Sequence, residues 1–219
     1  MTMAVVRCLL ALALLALALL AGGLVTEASS GSLRGLPEDL RNRLSAGEVI
    51  VADALPPGAS ESARGGTALA LVRASPEQVW RVLVDYPGHT RYYPRVVAAE
   101  VVQRDARRVL VRYEVGIGLF SSTFHMDKFP DERRRRIDWH LAEGHSHGLF
   151  RENSGYWLVE AADTASLVTY AIAVRTVLPA FVTRGSERES LIETITAMRK
   201  LAEAEVRARP GAAGPSPPR

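Results

Sequence analysis

The chain of 219 residues has a single cysteine, Cys8, inside an N-terminal apolar run. Beyond that run there is no thiol, which excludes disulfides, thiol catalysis and cysteine-ligated zinc in the remainder. Charge of one sign is also scarce. Lys and Arg number 27 against 24 Asp and Glu, a net charge of only +3. A nucleic-acid-binding domain gathers a larger basic excess on one element, so nucleic acid is not expected as a partner. Gly144-His145-Ser146-His147-Gly148 spells Gly-x-Ser-x-Gly, but it lies between two strand patterns, where a nucleophile turn joins a strand to a helix. No glycine-rich phosphate loop is present: Gly116-Ile117-Gly118 joins two strand patterns, where a phosphate loop joins a strand to a helix. Internal repeats are absent, which excludes solenoids.

Long hydrophobic runs are missing except at the start. Arg7 precedes the apolar stretch Cys8–Val25, and the small residues around Thr26-Glu27-Ala28 follow. A positive residue, a Leu/Ala-rich stretch and a small-residue cleavage site form the pattern of a secretory signal. Residues 1–28 are therefore expected to be a signal peptide, with the folded part exported and, in a bacterium, periplasmic. The competing reading is an uncleaved N-terminal anchor, since about eighteen residues lie at the lower edge of a membrane span. No cysteine follows the run, so a lipid anchor is not available.

What remains is ordinary globular chemistry, 47% hydrophobic and 23% charged, enough for one domain with a buried core. Residues 33–65 read as an N-terminal extension: a short helix opened by Leu36-Pro37-Glu38-Asp39 and ended at Gly47, a strand over Glu48–Asp53, and a Pro/Gly-rich connection. A strand follows over Thr67–Arg73. Ser75-Pro76-Glu77 then starts a helix with Val79, Trp80, Leu83 and Val84 on one stripe. From Val96 the period becomes two. Strands are expected over Val96–Gln103, Arg107–Val115, Phe120–Phe129, Arg134–Leu141, Gly155–Ala161 and Leu167–Val177. The turns between most of them are short, as in an antiparallel meander. One face of this sheet is apolar and needs a cover. A helix of more than twenty residues after Pro179 supplies it, with Phe181, Ile192, Ile195 and Met198 on its apolar side. Residues 208–219 read as a disordered tail.

Several motifs carry a family resemblance. Ala74-Ser75-Pro76-Glu77-Gln78-Val79-Trp80 with Leu83, Asp85-Tyr86, Tyr93-Pro94 and Val96, together with Gly155-Tyr156-Trp157 and Pro179, resembles the START-like (SRPBCC) helix-grip superfamily. The match is to its polyketide cyclase and coenzyme-Q-binding START-domain family and covers about residues 66–204, within an expected START-like domain over residues 66–207. The resemblance implies an α+β fold in which a curved antiparallel sheet wraps a long C-terminal helix. It also implies a cavity between the two that binds a lipid, quinone, polyketide or other hydrophobic small molecule.

The candidate cavity lining is the inward row Tyr113, Phe120, Phe124, Trp139, Trp157 and Tyr170, with Phe181, Ile192, Ile195 and Met198 on the helix. A solid core would show the same alternation. The aromatic loop from Tyr86 to Pro94 places Tyr86, Tyr92 and Tyr93 as a candidate cavity mouth, the other reading being rings packed on the helix edge. Four of the five histidines fall between His125 and His147. No carboxylate or cysteine completes a recognised metal spacing, so His145 and His147 read as a solvated loop and no metal is expected. Arg133–Arg136 reads as a solvated turn offset by neighbouring acids. Asp85, Asp127, Glu114 and Glu152 have acid/base chemistry but no spacing that pairs them, and no catalytic residue is assigned. The sequence thus points to a carrier that binds a hydrophobic small molecule or lipid without catalysis, without a cofactor, and with only transient membrane contact. Two alternatives stay open: a cyclase/dehydratase or hydrolase using the same cavity, and an interaction domain with a filled core.

Overall fold

The computed structural model describes residues 33, 35–177 and 186–208; the expected signal peptide, Phe181 and the tail from 209 lie outside the described residues. Helix α1 (Glu38–Ser45) carries Glu38 and Asp39 in its first turn, where acids suit the positive end of the helix dipole. It stops at Gly47, whose φ of 89° a side chain would resist. Strand β1 (Ile50–Ala52) pairs antiparallel with β2 (Arg64–Val72). The extension is thus part of the main sheet. Helix α2 (Pro76–Val84) begins in a capping box: the Ser75 side chain accepts from the Gln78 amide, and Gln78 reaches back to the Ser75 amide. Val79, Trp80, Val82 and Leu83 form its buried side.

After a 3-10 turn over Tyr86–Arg91 the meander follows: β3 (Val96–Arg104), β4 (Val109–Ile117), β5 (Phe120–Asp131), β6 (Arg136–Leu141), β7 (Phe150–Ala162) and β8 (Ala165–Thr176). All neighbours are antiparallel, in the order β1-β2-β8-β7-β6-β5-β4-β3. Strand β7 starts at Phe150, five residues before the expected Gly155. Its polar opening stretch stays in the sheet because, past a bulge, Phe150 and Glu152 pair with the end of β8.

Helix α3 (Ser186–Ala208) lies against β2 and α2. Leu191, Ile195, Met198 and Ala202 are buried there with Ala68, Ala70 and Val72 of β2. The opposite face of β2 is covered separately: Leu36 and Leu44 from the α1 region join Leu69, Ala162 and Leu167 in a second cluster. The sheet therefore has apolar cover on both faces at its β1–β2 end, and a concave face toward α3. Among the described residues no helix is long and apolar enough to cross a membrane.

Candidate ligand-binding site

The concave face of the sheet and the first turns of α3 frame a half-open chamber of about 170 Å³. Register explains its shape. One rung across the sheet runs Val109, Lys128, Trp139, Gly155, Ile172 and Gly66, residue facing residue. Facing residues on adjacent strands share a side of the sheet, so Lys128 and Trp139 stand together over the concave face. Gly155 makes room for the indole: a Cβ there would lie 2.6 Å from Trp139 Cζ2 and 2.1 Å from the Ala171 carbonyl oxygen. The next rungs set Tyr113 against Phe124 and Trp157 against Tyr170.

The aromatic walls are locked by hydrogen bonds. His89 is buried, with Nε2 3.0 Å from the Leu83 carbonyl oxygen and Nδ1 2.7 Å from the Tyr113 hydroxyl. A carbonyl only accepts, so Nε2 carries the proton and the Tyr113 hydroxyl donates to Nδ1. Burial, and then the nearby charge of Lys128, hold His89 neutral, with its pKa pushed down to about 3. Trp157 Nε1 donates to the Tyr93 hydroxyl at 2.8 Å, and Trp139 Nε1 donates to Asn153 Oδ1 at 3.2 Å. Burial raises the pKa of Tyr93, Tyr113 and Tyr170, so all three stay neutral phenols at physiological pH.

Lys128 is the unexpected member. It is 2% exposed, and its Nζ lies 4.2 Å from the centre of the Trp139 ring, 5.6 Å from that of Tyr113 and 5.8 Å from that of Tyr93. No hydrogen bond or ion pair engages it among the described residues. Desolvation brings its pKa from 10.5 down to about 7, so the chamber holds an amine balanced between its charged and neutral forms. Sequence reasoning missed it, although the signal was there: Lys128 follows Phe124 and Met126 at the same two-residue period. Asp127, its neighbour in sequence, belongs by the same alternation to the other face of β5, where Arg108 lies 3.6 Å away.

Of the expected lining, Tyr113, Phe124, Trp139 and Tyr170 do border the chamber, joined by Tyr93 from the expected mouth. Trp157 lies one layer behind, stacked on Tyr170 with ring centres 4.2 Å apart. Ile195 and Met198 are buried in the main core without bordering the chamber, and Ile192 is half-buried. The helix instead offers Ser190 and Thr194 to it, one turn apart. Phe120 departs furthest from expectation. It is 80% exposed beside Leu119, because β5 begins at the hairpin tip, beyond the rim of the chamber. Tyr86 and Tyr92 are not a mouth either: the 3-10 turn folds them into the core, at 0% and 2% exposure.

The remaining polar candidates lie elsewhere. Asp85 caps the 3-10 turn by accepting from the Gly88 amide. Glu152 accepts from the Ser60 amide at 3.1 Å, and Glu114 is half-buried; neither borders the chamber. His125 and His145 stack at 4.4 Å, and among the described residues no group of three or more His, Cys, Asp or Glu is placed to hold a metal. Arg134, Arg135 and Arg136 pair with Asp131, Glu77 and Asp138 respectively. A second, wider groove of about 660 Å³ runs between the β1–β2 connection and the start of α3, with Asp53, Glu61, Arg64 and Arg188 on its walls. Its charged lining suits a hydrophobic ligand less well than the aromatic chamber does.

A single antiparallel sheet closed on a long C-terminal helix, with a chamber between them, defines a helix-grip protein of the START type. The chain belongs to the family of polyketide cyclases/dehydrases and lipid transport proteins, whose pattern matches residues 72–199, more than half of its length. No curated protein matches it. Among solved structures it is similar to a protein from Thermus thermophilus, at TM-score 0.54 and 22% identity, covering 65% of this chain and 96% of that one. It is also similar to a STAR-related lipid transfer protein from Xanthomonas axonopodis, at TM-score 0.54 and 15% identity over 70% and 92% of the two chains. An aromatase/cyclase from Streptomyces sp. R1128 aligns at TM-score 0.50 and 22% identity over 68% and 96%. At these identities the similarity concerns the fold.

Proposed function

We propose that this protein binds a hydrophobic small molecule in the chamber between sheet and α3 and carries it outside the cytoplasm, without catalysis. The observation that carries the reading is the chamber itself, about 170 Å³ walled by Tyr93, Tyr113, Phe124, Trp139 and Tyr170. A dry cavity of about 150 Å³ takes up benzene, so the space suits one ring or a small fused system. Burying each methylene-sized group contributes about 0.8 kcal/mol, so such a ligand reaches micromolar affinity through burial and a few polar contacts. Lipid transfer and polyketide cyclisation both occur in the family, and the absence of a paired acid and base among the described chamber residues favours carriage. Export rests on the N-terminal pattern alone.

The test is native mass spectrometry of the protein recovered from its own periplasm, with organic extraction. A co-purifying apolar compound released on denaturation is the expected result. A protein that arrives empty and takes up no lipophilic probe would overturn the carrier reading. N-terminal sequencing of the same material, expected to start after Ala28, tests export.

A further inference from the structure

Resting on that carrier reading, we infer that the chamber selects a carboxylic acid, an aromatic acid of one or two rings, and seats its carboxylate on the ammonium of Lys128. A lysine 2% exposed with none of its three N–H groups engaged among the described residues is a destabilising arrangement for a protein to keep. The rings of Trp139, Tyr113 and Tyr93 stabilise its charge through their π faces but accept no conventional hydrogen bond. What the site lacks is an anionic oxygen. A carboxylate supplies both the opposite charge and the acceptors.

The other polar groups bordering the chamber fit the same guest. Asn153 commits its carbonyl oxygen to Trp139, which leaves its amide hydrogens for a ligand oxygen, and Thr194 brings a hydroxyl from α3. No acid of this chain competes for the position among the described chamber residues. The tyrosines facing Lys128 from β4, β8 and the 3-10 turn region are neutral, and so is His89 behind Tyr113. The two α3 residues at the chamber, Ser190 and Thr194, carry no charge, and Asp127 faces the other way toward Arg108. The walls set the shape: with the carboxylate at Lys128, the rings of Tyr93, Tyr113, Phe124, Trp139 and Tyr170 around about 170 Å³ match a flat ring system in contact area.

The pH dependence follows from the same geometry. With the free amine titrating near 7, an acid binds best below pH 7. Its affinity falls about tenfold per pH unit above that, until the pH passes the higher value that Lys128 has in the complex. A neutral ligand of the same shape shows no such fall.

The experiment compares 1-naphthoate with 1-naphthalenemethanol by calorimetry, on the exported protein and on Lys128→Met, at pH 6, 7.5 and 9. The expected result at pH 6 is an acid at least about thirtyfold tighter than the alcohol in the wild type. That preference should disappear in Lys128→Met, while the alcohol still binds both proteins. The wild-type pH series supports or refutes the inference independently of the variant. Equal binding of acid and alcohol by the wild type, flat with pH, overturns it. So does the combination of no acid preference with a borohydride-trapped adduct of 1-naphthaldehyde on Lys128, which would make the amine a nucleophile. If neither probe binds at any pH, the carrier reading fails and this inference falls with it.

Discussion

Replacing Lys128 by Met is expected to make the ligand-free protein more stable. In the unfolded chain the amine titrates at 10.5 and in the fold at about 7. At about 1.36 kcal/mol per pH unit, holding the charged form in the chamber costs roughly 5 kcal/mol relative to the neutral amine. The Trp139 face, 4.2 Å from Nζ, offsets up to about 2 kcal/mol of related cost. Met has similar length and no charge, so Lys128→Met should gain about 3 kcal/mol at pH 6. The sign of the pH effect is fixed by proton counting. Between pH 7 and 10.5 the unfolded state holds a proton that the folded state has released, so wild-type stability rises with pH there. Below pH 7 both states are protonated and the contribution is flat. The gap between variant and wild type should therefore be largest at pH 6 and narrow by roughly 1.4 kcal/mol per unit above pH 7. Urea unfolding of both proteins at pH 6, 7.5 and 9 measures this, and the difference cancels every other titrating group. A variant less stable than wild type at pH 6, with a gap that does not move with pH, would refute the reasoning.

Three other perturbations probe the walls. Gly155→Ala forces a Cβ to within 2.1 Å of the Ala171 oxygen and 2.6 Å of Trp139, so a loss of about 3 kcal/mol and a red-shifted tryptophan emission are expected. His89, with its pKa pushed down to about 3, should stay in the Nε2–H tautomer in nitrogen NMR spectra from pH 8 to 5. Since the unfolded imidazole takes a proton near 6.5, it also withdraws stability as pH falls from 6.5 toward 3. Phe120→Ser removes a ring that is 80% exposed and should change unfolding free energy by less than about 0.5 kcal/mol, with probe binding unchanged.

The fold was largely legible because its signals are local. The helix start Ser75-Pro76-Glu77 announced α2, and the period of two over the expected strand Arg107–Val115 placed Tyr113 of β4 inward. The chamber was legible only in part, for three different reasons. Lys128 shares parity with Phe124 and Met126, but lysine is so seldom buried that parity alone does not place it inside. The rotation of α3 depends on what it packs against. Leu191, Ile195 and Met198 face β2 and α2, and so Ser190 and Thr194, rather than Ile192, meet the chamber. The tyrosine loop reads either as a cavity mouth or as rings packed on the helix edge, and its prolines and polar tips do not choose between them. Whether a 3-10 turn buries Tyr86 and Tyr92 is a tertiary outcome that no local period encodes. Phe120 has the right parity for the interior, and position along the strand, past the rim, overrules it.

The chamber and its lysine bear on the remaining choice between a ligand site and a filled core. An unfilled chamber of about 170 Å³ forgoes the contacts that a packed core makes, and holding the charged amine there costs roughly 5 kcal/mol. A chain needing only a core removes both with larger apolar side chains, so the arrangement makes physical sense when something else occupies the space. Thr194→Phe tests this directly. Thr194 is 2% exposed and borders the chamber from α3, so a phenyl ring there enters the void without displacing a hydrogen-bonded partner among the described residues. Stability should stay within about 1 kcal/mol of wild type, since new burial offsets local crowding, while uptake of 1-naphthoate is lost. Thr194→Leu, which fills less of the space, should weaken uptake to an intermediate degree. If Thr194→Phe folds as well as wild type and still binds the probe unchanged, the ligand sits elsewhere, and the wider groove beside Asp53 and Arg64 becomes the place to look.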